Sequence, residues 1–198
     1  RSAAIVNHKL NRLESSLKDA IVKASDEVIS GKFNSEFIVD IYQTGSGTSS
    51  NMNANEVISN RANEILGYDL GTKKPVHPND HVNLGQSSND VIPSAIHISV
   101  YLDVQDYLIP SLTALEKSLG KKSKEFIGII KIGRTHLQDA TPISLQQEFS
   151  GYVQQIKKSI VRLKKSKKDL LELAIGGTAV GTGINTHKDF GKLMAAEI

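Results

Sequence analysis

Seven consecutive residues near the middle of the chain carry five kinds of polar side chain. Residues 133–139 read Gly-Arg-Thr-His-Leu-Gln-Asp, which supplies a guanidinium, a hydroxyl, an imidazole, an amide and a carboxylate. An apolar run, residues 126–132, precedes them, and a long helical pattern begins soon after them. Histidine titrates near neutral pH, so His136 can accept a proton and return it. This composition favours a site of acid–base chemistry over a linker; the alternative interpretation makes His136 a structural residue.

A glycine-rich segment earlier in the chain is suited to binding an anion. Residues 44–56 read Thr-Gly-Ser-Gly-Thr-Ser-Ser-Asn-Met-Asn-Ala-Asn-Glu, and a helical pattern follows as far as Gly67. Glycines let a backbone approach a ligand closely, and a helix N-terminus behind a loop rich in hydrogen-bond donors favours negative charge. The segment is not a P-loop, because it has no Gly-Lys-Ser/Thr ending. A flexible turn is the alternative interpretation.

Three further segments combine small polar residues with turn signals. His77-Pro-Asn-Asp and Gln86-Ser-Ser-Asn-Asp lie in the irregular residues 67–90, where the alternative to a binding role is turn and helix-cap chemistry. The third segment, residues 175–187, is a loop rich in glycine and threonine. No strand precedes it, which excludes a nicotinamide-binding fingerprint.

Helical patterns must position these segments. An amphipathic helix is predicted from Leu10 to Val28, ended by Gly31. Long helices are predicted from Val91 onward, with a kink at Pro110. Apolar residues then repeat at steps of four and three along residues 144–174, which predicts a helix of roughly 30 residues with a heptad seam. A last helix is predicted over residues 190–198. The fold class is therefore all-α, with a helical bundle or an oligomer core.

Composition excludes several classes of protein. The chain has 198 residues and no cysteine, so it forms no disulfide and no thiolate metal site. The net charge is +3, and basic residues concentrate in residues 157–168 without interleaved aromatics or glycines. We interpret that segment as a solvated helix face and expect no nucleic-acid binding. No apolar run approaches the roughly 20 residues of a membrane-spanning helix.

The two ends of the sequence suggest an internal piece of a longer protein. The first residue is Arg1 rather than an initiator methionine, and the last predicted helix stops without a cap.

Six blocks of sequence occur in the order found in one enzyme family. They are Thr44-Gly-Ser-Gly-Thr, Asn51-Met-Asn, His77-Pro-Asn-Asp, Gln86-Ser-Ser-Asn-Asp, Gly133-Arg-Thr-His-Leu-Gln-Asp and Gly176-Gly-Thr-Ala-Val-Gly-Thr-Gly. Together they cover essentially the whole chain, and they resemble class II fumarate hydratase of the fumarase/aspartase superfamily. The resemblance implies that residues 1–86 belong to a small N-terminal helical domain. Residues 87–198 would be the first part of a central bundle of long helices that forms a homotetramer.

The resemblance also assigns roles to individual residues. His136 is expected to donate or accept the proton of water, and Thr135 to serve beside it as a catalytic and substrate-binding residue. The other substrate-binding residues implied by the resemblance are Ser46, Gly47, Thr48, Ser87, Ser88 and Asn89. A second dicarboxylate site, outside the catalytic pocket, matches His77, Pro78, Asn79 and Asp80. Active sites shared between subunits are expected, in the cytoplasm or in the mitochondrial matrix of a eukaryote.

The implied reaction is the reversible hydration of fumarate to (S)-malate through an aci-carboxylate intermediate. Neutral hydroxyl and amide donors suit the extra negative charge of that intermediate, and the scheme requires no metal or other cofactor. The histidines of the chain show no spacing typical of zinc ligands on one helix face.

Two alternative functions are compatible with parts of this pattern. Aspartate ammonia-lyase shares the architecture, but it differs from the family resembled here at four positions of the motifs, including Gln where this chain has His136. The second alternative is a helical bundle that binds a dicarboxylate or a partner protein without catalysis, for which every motif except Thr135-His136 would serve equally well.

One signature of the family is absent. The family's Gly-Ser-Ser-x-Met-Pro-x-Lys-x-Asn loop carries a serine assigned as the carbon base and two substrate-binding residues, and it does not occur in these 198 residues. If these residues were the entire protein, we would expect no hydratase activity.

Overall fold

The computed structural model describes residues 1–198 and divides them into two compact units. Residues Arg1–Ile96 and Leu173–Ile198 form the first, here called the discontinuous unit. Residues His97–Glu172 form the second, here called the inserted unit. The domain division predicted from the sequence, 1–86 and 87–198, stays a prediction.

The chain is mostly helical, which confirms the predicted all-α fold class. The α-helices are α1 Ser2–Lys9, α2 Ser15–Ile29, α3 Thr48–Ile65, α4 Ser88–Asp103, α5 Ile109–Glu125, α6 Leu145–Ser166 and α7 Phe190–Glu197. One antiparallel hairpin joins β1 Ile130–Thr135 to β2 Gln138–Ser144. Short 3₁₀ turns lie at Asn34–Glu36 and Asp169–Leu171, and π-helical turns at Pro78–Val82 and Val104–Leu108. No helix is both long enough and apolar enough to cross a membrane.

The core of the discontinuous unit lies between α1, α2 and α3. The buried apolar residues of this cluster are Ala4, Leu13, Ala20, Ile21, Ala24, Ala62, Val76 and Val82. A second cluster packs α1 against α7 through Ala3, Val6, Phe190 and Met194. A buried amide ties the connecting segment to this core: Asn63 donates to Val76 O at 3.0 Å and accepts from Val76 N at 2.8 Å. The two bonds satisfy the buried amide, as burial of a polar group requires.

The helix predicted from Leu10 to Val28 begins later than predicted, at Ser15, and a separate helix that was not predicted, α1, precedes it. The break covers residues 10–14, where Asn11 adopts a left-handed conformation (φ 56°) that asparagine tolerates better than most residues. Leu13 stays buried although it lies in the break, which is why its spacing resembled that of a helix. The predicted end at Gly31 is confirmed: this residue has φ +83° and its N–H bonds Val28 O at 2.9 Å.

The long helix of the inserted unit is shorter than predicted. Helix α6 begins with a capping box, in which Ser144 Oγ accepts from Gln147 N at 3.1 Å and Gln147 Oε1 accepts from Ser144 N at 2.9 Å. It ends at Ser166 after 22 residues, against roughly 30 predicted. Leu170 follows in a 3₁₀ turn, so the apolar spacing continues where α-helical hydrogen bonding has stopped.

Helices α5 and α6 pack against each other along the predicted heptad seam. Ile160 is buried there, and the Phe126 ring contacts the Phe149 ring edge-on at 4.9 Å between centroids. The predicted interruption near Pro110 coincides with the π-helical turn Val104–Leu108, after which α5 begins. Pro110 occupies the first turn of α5, where a missing N–H leaves no helical bond unmade.

Candidate functional site

His136 lies at the tip of the β-hairpin in the inserted unit. Thr135 pairs with Gln138, and the two residues between them, His136 and Leu137, have φ values of 42° and 62°. Two successive left-handed residues form the tight turn that best fits the twist of a hairpin. Thr135 and His136 are exposed, and Leu137 is 97% exposed. The imidazole is thus presented outward on a tight turn, which disfavours the alternative interpretation of His136 as a structural residue.

The hairpin itself was not predicted from the sequence. Ile130 and Ile132 alternate with Lys131, and such β-branched alternation is the signal that could have revealed β1. The ladder is irregular between Ile132 and Arg134. A side chain at Gly133 would come within 2.8 Å of Thr141 O, so glycine permits this close approach of the strands.

Two polar residues of the hairpin pair with each other across the strands. Arg134 Nε donates to Asp139 Oδ1 at 3.2 Å, and both side chains are mostly exposed. Opposite charges on paired strands stabilise a hairpin modestly. Part of the polar cluster in residues 133–139 therefore braces the turn that carries His136.

A row of hydroxyl groups precedes α3 in the discontinuous unit. Ser46 Oγ lies 3.1 Å from Thr44 Oγ1 and 3.3 Å from Thr48 Oγ1, and all three residues are exposed. Gly47 adopts φ +69° at the N-cap of α3, and an added Cβ would lie 3.0 Å from Ile92 Cγ1. The loop therefore requires glycine at this position for both its conformation and its contact with α4.

Helix α3 begins earlier than the sequence suggested, because residues 51–56 are helical and not part of the loop. Asn51 is nearly buried, and its side chain donates to Ser88 Oγ at 3.0 Å. This bond joins the beginning of α3 to the beginning of α4. The predicted binding residues Ser46–Thr48 and Ser87–Asn89 thus lie on two helix N-termini that Asn51 connects within the discontinuous unit.

The beginning of α4 is capped by its own polar residues. Ser87 Oγ accepts from Asn89 N at 3.2 Å, and Asp90 Oδ1 accepts from Ser87 N at 2.9 Å. The Asn89 side chain donates to Ala179 O at 2.9 Å, which reaches the glycine-threonine loop. Cap chemistry, the alternative interpretation of this motif, is therefore present. In this arrangement the Ser88 hydroxyl accepts a hydrogen bond from Asn51, and its own proton is available for donation to a ligand.

Asp90 is a buried residue that was considered from the sequence only as part of a helix cap. It is 1% exposed, and its Oδ2 accepts from Gly176 N at 3.1 Å and from Thr178 N at 2.7 Å. With the bond from Ser87 N, three backbone N–H groups satisfy this carboxylate. The position of Asp90 at the end of the 86–90 block was the only sequence signal for a role. Its partners Gly176 and Thr178 are too far along the chain to be inferred from that signal.

A cavity of about 270 Å³ lies where these segments meet. Its lining residues are Asn83, Gly85, Gln86, Ser87, Ser88, Thr178, Ala179, Ile184 and Asn185. None of them is acidic, and most offer hydroxyl, amide or backbone donors. The lining is therefore suited to a small anion or another acceptor-rich ligand.

The predicted second dicarboxylate site forms the π-helical turn after His77. His77 Nδ1 lies 3.2 Å from both Asp80 N and Asp80 Oδ2, so it accepts when neutral and donates when protonated. Pro78 is buried in the first turn, while Asn79 and Asp80 are exposed. Next to them, burial lowers the pKa of His81, whose Nδ1 accepts from His77 N at 2.8 Å.

Known proteins resemble this chain over its whole length. A family model described as "Lyase" matches residues 1–198. The class II fumarate hydratase of Nitrosomonas europaea is 56% identical over the whole chain and 43% of its own length, and the mitochondrial fumarate hydratase of Saccharomyces cerevisiae is 58% identical over the whole chain and 40% of its own length. A crystal structure of class II fumarase from Schistosoma mansoni superposes with a TM-score of 0.91 at 49% identity, covering 98% of this chain and 40% of that one.

These relatives confirm the resemblance inferred from the six sequence blocks. The chain spans about two fifths of the length of the curated relatives it matches. The relatives include proteins from a bacterium and from mitochondria.

Proposed function

Because the chain belongs to the lyase family along its whole length, we propose that the protein is a class II fumarate hydratase, which hydrates fumarate reversibly to (S)-malate. The observation that carries the proposal is the bond between Asn51 and Ser88. It brings together two helix N-termini, both of which begin with serine, threonine or asparagine side chains. Such a region offers many donors and partial positive charge, which a dicarboxylate requires.

The donors suit the transition state as well as the substrate. Removal of a proton beside a carboxylate of malate produces an aci-carboxylate with additional negative charge. Fixed donors aimed at such charge lower the barrier by about 3 to 4 kcal/mol each. We assign this role to Ser46, Thr48 and residues 87–89, whose neutral side chains add no competing negative charge.

Proton transfer to and from water is assigned to His136. Its exposed position on a hairpin tip leaves the imidazole accessible, and an imidazole can both accept a proton from water and return it, as the two directions of the reaction require. Thr135, next to it on β1, is assigned to substrate binding and positioning. His77, Pro78, Asn79 and Asp80 are assigned to a second dicarboxylate site outside the catalytic pocket.

Assembly into a homotetramer with shared active sites is part of the proposal. Large apolar side chains of the inserted unit remain exposed, among them Leu102, Leu115 and Val161 at 47%, 44% and 52%. Burial of such residues between copies of the chain favours association. We propose that the protein acts in the cytoplasm or, in a eukaryote, in the mitochondrial matrix.

The test is a direct assay of the full-length protein. Incubation with (S)-malate should produce fumarate, followed by its ultraviolet absorbance, and malate should raise the melting temperature. Absence of both effects would refute the enzymatic function. Fumarate formed from aspartate instead would favour the ammonia-lyase, and malate-dependent stabilisation without turnover would favour a dicarboxylate-binding protein.

A further inference from the structure

Three buried hydroxyl groups in the discontinuous unit, those of Ser94, Thr178 and Thr186, have no hydrogen-bond partner, and of these three residues only Thr178 lines the cavity described above. Thr178 is 5% exposed, and its Oγ1 makes no bond to any protein atom. The residue lines the cavity of about 270 Å³ described above, together with Ser87 and Ser88. A buried hydroxyl is nearly always paired, so an unpaired one that borders a cavity indicates a ligand that completes its bonding.

The backbone of Thr178 is held in an unusual conformation. Its φ is +57°, a left-handed value that is rare for a β-branched residue. The Asp90 carboxylate accepts the N–H of Thr178 at 2.7 Å and that of Gly176 at 3.1 Å. Strain of this kind persists only where the surroundings fix it, and it concentrates at ligand-binding sites. Asp90 therefore fixes where the Thr178 side chain lies.

The lining of the cavity determines which chemical group fits. It contains hydroxyl and amide side chains and no carboxylate. The N-terminus of α4 begins at Ser88, within this lining, and adds partial positive charge. No carboxylate lines the cavity, and the nearby Asp90 carboxylate already accepts from three backbone N–H groups, so a carboxylate oxygen of a ligand can accept from Thr178 Oγ1.

We propose that Thr178 is a further substrate-binding residue, whose hydroxyl donates to a carboxylate group of the bound dicarboxylate, and that Asp90 is the residue that positions it. This inference rests on the proposed function and adds a residue to the same site. A purely structural threonine would be replaced by valine without loss, because the hydroxyl has no protein partner to lose.

The experiment compares Thr178→Val with Thr178→Ser in the full-length protein. Valine keeps the β-branched shape and removes the hydroxyl, whereas serine keeps the hydroxyl. We expect Thr178→Val to lower kcat/KM for malate by about 10- to 100-fold, as loss of a hydrogen bond to a charged group does, with the larger part in KM. Thr178→Ser should stay within about threefold of wild type, and the melting temperature of Thr178→Val without ligand should not fall.

Binding of succinate, a dicarboxylate that cannot react, separates this inference from the proposed function. Calorimetry should show weaker succinate binding in Thr178→Val and near-normal binding in Thr178→Ser, whether or not the wild type turns malate over. Equal activity and equal succinate affinity in wild type and Thr178→Val would overturn the inference. Equal impairment of the valine and serine variants would overturn it too. If Thr178→Val does not fold, Thr178→Ala carries the same expectations.

Discussion

The carboxylate of Asp90 accepts the backbone N–H of Thr178 at 2.7 Å, across 88 positions of sequence. The same oxygen accepts from Gly176 N, and the other oxygen accepts from Ser87 N. One nearly inaccessible side chain therefore connects the beginning of α4 with the glycine-threonine loop. The position of that loop depends on a residue that does not itself line the cavity.

Replacement of Asp90 by asparagine should destabilise the protein. The amide group keeps one acceptor oxygen but turns an NH₂ toward backbone N–H donors, which leaves buried donors unpaired. We expect a loss of about 2 to 4 kcal/mol in the free energy of unfolding. Urea unfolding monitored by circular dichroism would measure it, and a loss below about 0.5 kcal/mol would contradict the role assigned to Asp90.

Replacement of Gly47 by alanine should disturb the hydroxyl loop, whereas replacement of Gly45 should not. At Gly47 the backbone has φ +69° and an added Cβ would lie 3.0 Å from Ile92 Cγ1, while at Gly45 nothing lies within 4 Å. We expect Gly47→Ala to cost about 1 to 3 kcal/mol and to lower activity. The Gly45→Ala control should change stability by less than about 0.5 kcal/mol. Equal melting temperatures for the two variants would refute this account.

Replacement of His136 by asparagine should remove acid–base catalysis and preserve the hairpin. Asparagine tolerates left-handed backbone better than most residues, so the turn with φ 42° at this position should survive. We expect turnover of malate to fall by roughly 100-fold or more. Steady-state kinetics at saturating malate would measure the change, with circular dichroism to verify the fold. Turnover near the wild-type value would show that another group moves the proton.

The ion pair between α2 and α3 should make stability depend on acid pH. Arg61 bonds both oxygens of Glu27, and Lys32 bonds one of them. These bonds, with Arg61 as the larger cause, lower the pKa of Glu27 from 4.5 to about 2. A carboxyl group whose pKa is lower in the folded state than in the unfolded state stabilises the fold. This stabilisation is fully present at pH values above the unfolded-state pKa and is lost as the pH falls toward the folded-state pKa.

The measurable consequence is a pH-dependent difference between wild type and Glu27→Gln. The wild type should have the higher melting temperature at pH 7, and the difference should narrow progressively from pH 4.5 toward pH 2. Thermal unfolding at pH 7, 5 and 3 would reveal it. A difference that is equally large at all three pH values would exclude Glu27 ionisation as its cause.

Local signals in the sequence were sufficient for several elements. The helix ends at Gly31 as predicted, because glycine readily adopts the left-handed conformation found there. Pro78 lies in the first turn after His77, where a missing N–H is harmless. The apolar spacing around Ile160 identified the packed face of α6. In each case the determining interaction lies within a few residues, which is why sequence pattern alone contains it.

Features that lack the usual local signal, or that depend on distant partners, were missed. The hairpin was not predicted because its turn, His136-Leu137, lacks the asparagine or glycine that usually marks a two-residue turn. Asp90 bonds main-chain groups of Gly176 and Thr178, and main-chain partners leave no trace in side-chain pattern. The candidate residues were identified from the resemblance of the motifs to a known family. Only the three-dimensional structure shows that Asn51 connects two of those motifs.

The order in which the chain is made adds a constraint on the discontinuous unit. Thr178 is synthesised 88 residues after Asp90, and ribosomes add about 5 to 20 residues per second, so about 4 to 18 s separate the two. During that interval the Asp90 carboxylate has no loop to bind, and the whole of His97–Glu172 is translated. Residues 1–96 therefore leave the ribosome before the segment that completes their folding unit has been synthesised.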